Sequence, residues 1–292
     1  MTRRFAIAGV AGTFFTLWQK RRRQQIVLTG RAMGCGWKFL TDEPVDQELT
    51  RREIASVIEH WEQVLSTWRP GSDLCRFNRG EAATGDLREV LALAESLYHD
   101  TQGAFDHRLL AKLTDAGFGP GGSGIDLSSL GKGYALDRVA ERLATRGVRR
   151  YVISLAGEVR AGEGTWPVGI EAPVIGSGPV VETVDLSAAS LATSGNVRQW
   201  NRRDGERLAG HILDPTTGTP VLRPPCSVSV IGPSAALASG WATALFVLGP
   251  AGTDLAGQHG LRVIWHGRPD GSPPDGPAGK IPPRQPANPV QD

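Results

Sequence analysis

The sequence contains few of the residues that build zinc sites or disulfide frameworks. Its three cysteines, Cys35, Cys75 and Cys226, are odd in number and too far apart for a Cys-x-x-Cys pair or a Cys/His ligand spacing. A zinc site and a disulfide framework are therefore not expected. Any bound metal should be a hard cation whose oxygen ligands come from Asp, Glu, Ser, Thr or main-chain carbonyls.

A large excess of charge of either sign is also absent from the 292 residues. Lys and Arg total 32 and Asp and Glu total 30, which gives a formal net charge of +2. Much of this small excess lies in the segment RRRQQ at residues 21–25, so the rest of the chain has no basic footprint. We therefore expect no nucleic-acid partner.

The N-terminal segment lacks an apolar run of membrane-spanning length. Its apolar run, from Phe5 to Trp18, has about fourteen residues, whereas a spanning helix needs roughly 20. The run suits a signal peptide, but no small-residue cleavage site follows it, and the cations at residues 20–23 oppose export. We predict that residues 1–25 form a targeting or membrane-tethering segment. The expected location is the cell envelope, periplasmic or tethered to the inner membrane, and the alternative is the cytoplasm.

Residues 26–267 have the pattern of one α+β domain. Apolar residues recur every three or four positions from Ile54 to Trp68, which predicts a helix beginning near Asp46. Two further helices are predicted, from about Asp86 to His99 and from the segment IDLSS to Gly147. Six segments rich in β-branched residues predict strands: RYVISLAG, WPVGIEAP, VVETVDLS, LAGHILDP, CSVSVIG and LRVIWH.

The order of these elements shows no strict alternation of strands and helices. We therefore predict a mixed, largely antiparallel sheet with flanking helices, and no doubly wound sheet. The last segment, residues 268–292, is rich in Pro and Gly and has almost no apolar anchors. We predict that it is a disordered tail, because it cannot bury enough apolar surface to offset its ordering entropy.

Two glycine-rich segments look like nucleotide-binding loops but lack the required context. GFGPGG, residues 117–122, matches G-x-G-x-x-G, yet no strand-like segment precedes it and Pro120 interrupts it. SLGKGY, residues 129–134, has Asp126 and Gly133 where a P-loop needs Gly and Ser or Thr. Neither a Rossmann site nor a P-loop is predicted.

Three polar positions are candidates for chemistry, each beside a structural alternative. Asp126 and Lys132 lie about two turns apart near a helix start, which can bind an anion; the alternative is a helix cap and a solvated lysine. His211 ends a strand before a tight turn and could act as a base or cap the turn. Ser194 lacks the G-x-S-x-G context of a serine hydrolase.

The segment ASGWATALFVLG, residues 238–249, predicts a helix with two hydroxyls one turn apart, Ser239 and Thr243. Hard cations prefer charged oxygen, so two hydroxyls without a carboxylate make a weak metal site. A small-residue face for close helix packing is the alternative that the residues by themselves favour.

In chain order, eight segments resemble the ApbE family of FAD:protein FMN transferases over about residues 30–266. The resemblance implies Mg²⁺-dependent cleavage of FAD, covalent transfer of FMN to a Ser or Thr hydroxyl of a target flavoprotein, and release of AMP. It implies two partners, FAD and an acceptor flavoprotein, which we expect to be a membrane-associated redox subunit. The segments are RAMGCGW, LSTWRPGSDLCRFN, GAFD, IDLSSLGKGYALD, VISLAGEVRAGE, LATSGN, HILDPTTGTP and SVSVIGPSAALASGWATALFVLG.

The same resemblance implies which residues form the FAD site. His211 would take the proton of the acceptor hydroxyl, and Trp68 would stack on the flavin. The residues expected to line the FAD site are Met33, Trp68, Ala104, Phe105, Asp106, Asp126, Lys132 and Ile212.

The magnesium site implied by the resemblance comprises the main-chain carbonyl of Ser129 and the side chains at Ser239 and Thr243. The family has Asp at the position of Ser239, and a hydroxyl binds Mg²⁺ less strongly than a carboxylate. The family also usually has Gly at the position of Ala156, whose methyl group would crowd the ligand. The alternative to an active transferase is therefore a catalytically weakened FAD-binding protein that acts as a flavin store or assembly partner. An FAD pyrophosphatase that needs the same metal is a third hypothesis.

Overall fold

The computed structural model describes residues 25–176, 178–205 and 207–269, in which helices and antiparallel sheets are combined. The α+β prediction is therefore confirmed. The strands are β1 (Ile26–Ala32), β2 (Cys35–Thr41), β3 (Tyr151–Leu155), β4 (Glu158–Ala161), β5 (Trp166–Glu171), β6 (Val180–Leu186), β7 (Ser190–Gly195), β8 (Trp200–Asp204), β9 (Arg207–Asp214), β10 (Thr219–Arg223), β11 (Cys226–Gly232) and β12 (Arg262–Gly267). The helices are α1 (Gln47–Leu65), α2 (Asp73–Asn78), α3 (Gly85–Asp100), α4 (Leu110–Asp115), α5 (Ser128–Thr145), α6 (Ala235–Leu248) and α7 (Thr253–Gln258).

The strands form three sheets. Seven pair in the order β1-β2-β3-β4-β7-β11-β12, three in the order β10-β9-β8, and β5 pairs with β6. All of these pairings are antiparallel. All six predicted strands are present, but the sequence reading missed β1, β2, β4, β7, β8 and β10.

The three predicted helices are present with small shifts at their ends. Helix α1 begins where the sequence predicted, because the Asp46 carboxylate accepts a hydrogen bond of 2.9 Å from the main-chain N–H of Leu49. Helix α5 ends at Thr145, and Gly147 lies beyond it with a φ of 74°. A loop containing several glycines with positive φ leads into α5, so Asp126 follows a loop and not a strand.

Helices α5 and α6 pack against each other unusually closely, and α6 lies against β7, β11 and β4. A Cβ atom at Gly133 of α5 would lie 2.4 Å from the main-chain oxygen of Ala235, so only glycine fits there. The Asp137 carboxylate fixes the start of α6 by accepting hydrogen bonds from the hydroxyl of Ser234 and the main-chain N–H groups of Ala235 and Ala236. This close packing sets the distance between polar side chains on the two helices.

The predicted segments at the two ends of the chain fall outside the described residues, apart from residues 25, 268 and 269. The targeting segment and the tail therefore stay predictions. Among the described residues, no helix combines the length and the apolar character needed to cross a membrane.

Candidate active site

The first turn of α5 gathers three of the segments that the sequence singled out. The carboxylate of Asp126, 8% exposed, accepts hydrogen bonds from the main-chain N–H and the hydroxyl of Ser128 and from the hydroxyl of Thr67 at 3.4 Å. Its own N–H donates to the carbonyl of His107 at 2.8 Å. Asp126 thus joins the loop that carries Trp68 and the segment 104–107 to the start of α5.

Lys132 lies one turn further along α5 and is half-buried. Its Nζ donates to the carbonyl of Ser128 at 3.3 Å and lies 4.0 Å from Oε1 of Glu158. Ser129, the predicted carbonyl ligand, occupies the same first turn and is also half-buried. The ammonium group therefore lies between the helix start and a carboxylate on β4.

Glu158 and Ser239 meet between β4 and α6 in a nearly closed environment. Glu158 is 7% exposed and Ser239 is 5% exposed. The hydroxyl of Ser239 donates to Oε1 of Glu158 at 3.1 Å. Oε2 of Glu158 is buried and has no hydrogen-bond partner among the described residues. Ser239, one of the predicted metal ligands, is thus in direct contact with a carboxylate.

Thr243 lies one helical turn after Ser239, on the same side of α6. Its hydroxyl oxygen is 3.5 Å from the hydroxyl oxygen of Ser194 on β7, which is the limit of a hydrogen bond. Thr243 is half-buried, whereas Ser239 is nearly fully buried. The two hydroxyls predicted as metal ligands therefore share one face of α6, where Ser239 contacts Glu158 and Thr243 lies beside Ser194.

His211 lies on β9, close enough to Lys132 for the two charges to interact. Burial, together with the positive charge of Lys132, lowers the pKa of His211 to about 4, and a hydrogen bond to the main chain of Gln199 acts in the opposite direction. Part of the residue reaches the surface, but Nδ1 is buried and has no partner among the described residues. The imidazole is therefore neutral near pH 7 and can accept a proton.

Met33 and Trp68 belong to two loops that meet at Glu62. The main-chain N–H of Met33, which has a φ of 51°, donates to the Glu62 carboxylate at 2.8 Å. The same carboxylate pairs with Arg69 at 3.0 Å. Trp68 is 59% exposed, so its ring is free to stack on a planar ligand.

Ala104, Phe105 and Ile212 lie in the core, where they are 7%, 1% and 6% exposed. The Phe105 ring is enclosed, so that only the main chain of this residue is placed to meet a ligand. Asp106 is half-buried, and its carboxylate binds the main-chain N–H and the side chain of Arg108 at 2.9 and 2.8 Å. The assignment of these four positions to an FAD site stays a prediction.

The sequence reading missed Glu158 as a candidate site residue. Within the segment VISLAGE, an effect was predicted only for Ala156. The available signal was an acid directly after the turn at Gly157. Its meaning depends on the packing of β4 against α6, which the sequence does not show.

No group of three or more His, Cys, Asp or Glu side chains able to hold a metal occurs in the described part of the chain. A metal site in this part of the chain would have at most two such side chains and would need main-chain or hydroxyl oxygens as further ligands. Glu158 and Ser239, which are in contact, provide one carboxylate and one hydroxyl.

Comparison with known proteins shows the family of the chain. The sequence matches the ApbE family over residues 33–123 and 120–265. The chain belongs to the ApbE family. The earlier resemblance is thus confirmed.

Named ApbE relatives show the same relationship in sequence and in structure. An FAD:protein FMN transferase of Klebsiella pneumoniae is 29% identical over 276 residues, which cover 77% of this chain and 79% of that protein. The flavin transferase ApbE of Vibrio cholerae superposes with a TM-score of 0.71 at 26% identity, covering 85% of this chain and 95% of the other. The apo form of the flavinyl transferase ApbE of Pseudomonas stutzeri gives a TM-score of 0.72 at 30% identity, covering 82% and 90%.

Proposed function

We propose that this protein is an FAD:protein FMN transferase that cleaves FAD in a Mg²⁺-dependent reaction. The hydroxyl oxygen of a Ser or Thr on the acceptor flavoprotein bonds to the FMN phosphorus. The bond from that phosphorus to the bridging oxygen breaks, and AMP leaves. The observation that carries the proposal is a linked set of residues in a chain of the ApbE family: the Ser239 hydroxyl contacts Glu158, Glu158 lies 4.0 Å from Lys132, and the charge of Lys132 acts on a neutral His211.

Lys132 supplies positive charge for the pyrophosphate. Its ammonium group has three donors, of which one bonds to the Ser128 carbonyl. The other donors can point to phosphate oxygens at the start of α5, where the helix dipole also favours an anion. Glu158, whose Oε1 is 4.0 Å from Nζ of Lys132, holds the lysine side chain near the start of α5.

His211 accepts the proton of the attacking hydroxyl. Because its pKa is lowered to about 4, the imidazole is unprotonated at neutral pH and has a free lone pair. A low pKa makes it a modest base, so its main contribution is to hold the acceptor hydroxyl and take the proton as the phosphorus–oxygen bond forms.

Mg²⁺, when bound, would neutralise pyrophosphate oxygens and stabilise the departing AMP. The residues that would hold it are Ser129 through its carbonyl, Ser239 and Thr243. The buried Oε2 of Glu158, which has no partner among the described residues, fits a cation at this place, because a bare carboxylate oxygen needs a positive or hydrogen-bonding neighbour.

The acceptor is proposed to be a membrane-associated redox subunit, and the protein to act in the cell envelope. The support is the basic and apolar pattern of residues 1–25. Fractionation of cells producing the full chain tests the location. Recovery in the cytoplasmic fraction would contradict it.

The transferase proposal is tested with purified protein, FAD, Mg²⁺ and an acceptor domain that carries a flavinylation threonine. Covalent flavin fluorescence should appear on the acceptor in a denaturing gel. It should fall at least about a hundredfold in His211→Ala and in Thr243→Ala, a range typical of lost acid–base and electrostatic groups. Arg198→Met, at an exposed position with a 65% accessible side chain, serves as the control with unchanged transfer.

One observation favours the alternative of a flavin-binding protein with weak transfer: Ser239 stands where the family has Asp. If wild type binds FAD but labels no acceptor, and Ser239→Asp labels it, the flavin-binding alternative is correct. Absence of FAD binding in both proteins would refute the family-based function as a whole. AMP release without acceptor labelling would indicate a pyrophosphatase.

A further inference from the structure

A buried carboxylate, Glu158, lies beside Ser239 and Lys132 in the candidate site. Glu158 is 7% exposed, and its two oxygens have different surroundings. Oε1 accepts from the Ser239 hydroxyl at 3.1 Å and lies 4.0 Å from the Lys132 ammonium. Oε2 is shielded from solvent and has no hydrogen-bond partner among the described residues.

A carboxylate that is removed from water needs its oxygens satisfied by donors or cations. Lys132 at 4.0 Å compensates the charge, but this distance is beyond a hydrogen bond. Ser239 satisfies Oε1 only. Within the described part of the chain, Oε2 therefore has no hydrogen-bond donor, and it lies beside Ser239, one of the residues expected to hold the cation.

The contact between Ser239 and Glu158 also explains how a serine is tolerated at this position. The Ser239 hydroxyl donates its hydrogen to Glu158, so its lone pairs remain available to a cation. An aspartate at 239 would place a second carboxylate beside Glu158. Positions 158 and 239 are thus close enough that a carboxylate at either one could bind the same cation.

We propose that Glu158 is a side-chain ligand of the divalent cation and supplies the negative charge that position 239 lacks in this chain. The proposal rests on the proposed function, because the cation is the one that FAD transfer would use. Ser239 then acts as a neutral ligand whose hydroxyl is oriented by the Glu158 carboxylate. The competing interpretation is that Glu158 only positions Lys132.

Binding of Mn²⁺, followed by the electron paramagnetic resonance signal of the free ion, tests this directly. Titrations are made on the full chain with and without FAD. Glu158→Gln should raise the dissociation constant for Mn²⁺ by at least about tenfold, since changes close to a metal commonly cost 10–100-fold. Glu158→Asp should lose less, because it keeps the charge. Glu163→Gln, at a 58% exposed glutamate in the neighbouring loop, is the matched control with unchanged affinity.

Adding Ser239→Asp to Glu158→Gln should restore Mn²⁺ affinity to within a fewfold of wild type. Unchanged Mn²⁺ affinity in Glu158→Gln, or failure of Ser239→Asp to restore a lost affinity in a folded double variant, would overturn the proposal. Circular dichroism and thermal unfolding establish that each variant is folded.

FAD affinity in EDTA, measured by quenching of flavin fluorescence, separates the two interpretations. A ligand role leaves this metal-free affinity unchanged in Glu158→Gln. Loss of metal-free affinity with unchanged Mn²⁺ binding would show a positioning role for Lys132 and overturn the proposal. If wild type binds no FAD, the proposed function fails, whereas the Mn²⁺ titration without FAD still decides the role of Glu158.

Discussion

Ala156 occupies the turn between β3 and β4 with a φ of 52°, a conformation that glycine adopts more easily. Its side chain is exposed, so little packing would be lost with the methyl group. Ala156→Gly should therefore leave the free energy of unfolding unchanged or raise it by up to about 1 kcal/mol, since relief of strain outweighs the extra freedom of the unfolded chain. Urea unfolding measures this.

The control is Ala92→Gly, at an exposed position inside α3 with ordinary helical geometry. It should cost about 1 kcal/mol, because glycine is a poor helix former. Equal destabilisation by the two changes would show that the turn at residue 156 is not strained.

His211 makes stability depend on pH in a defined direction. In the unfolded chain its pKa is near 6.5, whereas in the folded protein it is about 4. Between these values the unfolded chain binds a proton that the folded protein does not, so stability is lost as the pH falls from 7 toward 4. We expect a loss of roughly 2 kcal/mol from this group between pH 7 and pH 5.

Urea unfolding of wild type and His211→Gln at pH 7 and pH 5 measures this contribution. The variant has no titrating group at position 211, so its stability should fall by less than that of wild type over the same interval. Parallel losses in the two proteins would show that His211 titrates normally in the folded state.

At the scale of elements, the α5–α6 pair holds the candidate site together. A Cβ at Gly133 would meet main-chain atoms of Ala235 and Ala236 at 2.4 to 2.8 Å. Main chain cannot move aside as a side chain does, so Gly133→Ala should push the helices apart and cost about 1–3 kcal/mol. Thermal unfolding measures the loss.

Gly131, one residue before Lys132, provides a matched comparison on the same helix. A Cβ there would meet only the Leu65 side chain at 3.4 Å, which is ordinary contact. Gly131→Ala should be neutral or stabilise by up to about 1 kcal/mol through helix propensity. A similar loss in both variants would contradict the close-packing argument.

The small-residue face of α6 proves to serve packing and the site at once. Gly240 allows the close approach of Leu97 on α3, because a Cβ there would lie 2.5 Å from the leucine methyl. Ser239, the residue before it, faces Glu158 on β4. Close packing is thus seen at Gly240, whereas both the packing and the metal roles of Ser239 and Thr243 stay predictions.

At the scale of the whole molecule, Arg223 connects the sheet that carries His211 to the helix that carries Thr243. From β10, its Nε and Nη2 donate to the carbonyls of Phe246 and Val247 at 3.2 and 3.1 Å. These carbonyls lie in the last turn of α6, where no later main-chain N–H group of the helix can donate to them. Arg223→Met should cost about 1–3 kcal/mol by leaving them without their donor.

Arg223→Met should also lower FMN transfer more than FAD binding, because the alignment of the β9 sheet with α6 sets the distance from His211 to the hydroxyls that are proposed to hold the cation. Chemical denaturation and acceptor labelling measure the two effects. Arg198→Met removes only an exposed pair with Glu171 and should change stability by less than about 1 kcal/mol. Unchanged transfer in a destabilised Arg223→Met would show that the connection is only structural.

Some elements were predictable because their signals are local. Helix α1 was predicted from the helical spacing of Ile54, Ile58 and Trp61 and from the cap residue Asp46. Strand β11, nearly all buried, was predicted from its three β-branched residues, Val228, Val230 and Ile231. Strand β1 was missed because its apolar residues Ile26, Val27 and Leu28 are consecutive in the sequence, although its burial alternates in the structure. Strand β4 has only four residues, too few to show a pattern.

The sequence by itself determined the α+β class, the helix caps, the family and the residue types available for chemistry, because these depend on neighbours in the chain and on motif order. Only the tertiary structure decided that Glu158 contacts Ser239 and that Lys132 lowers the pKa of His211. Glu158 and Ser239 are 81 residues apart in the chain. Their contact depends on the strand order β4-β7-β11 and on the absence of a side chain at Gly133. No local sequence pattern could therefore predict this contact.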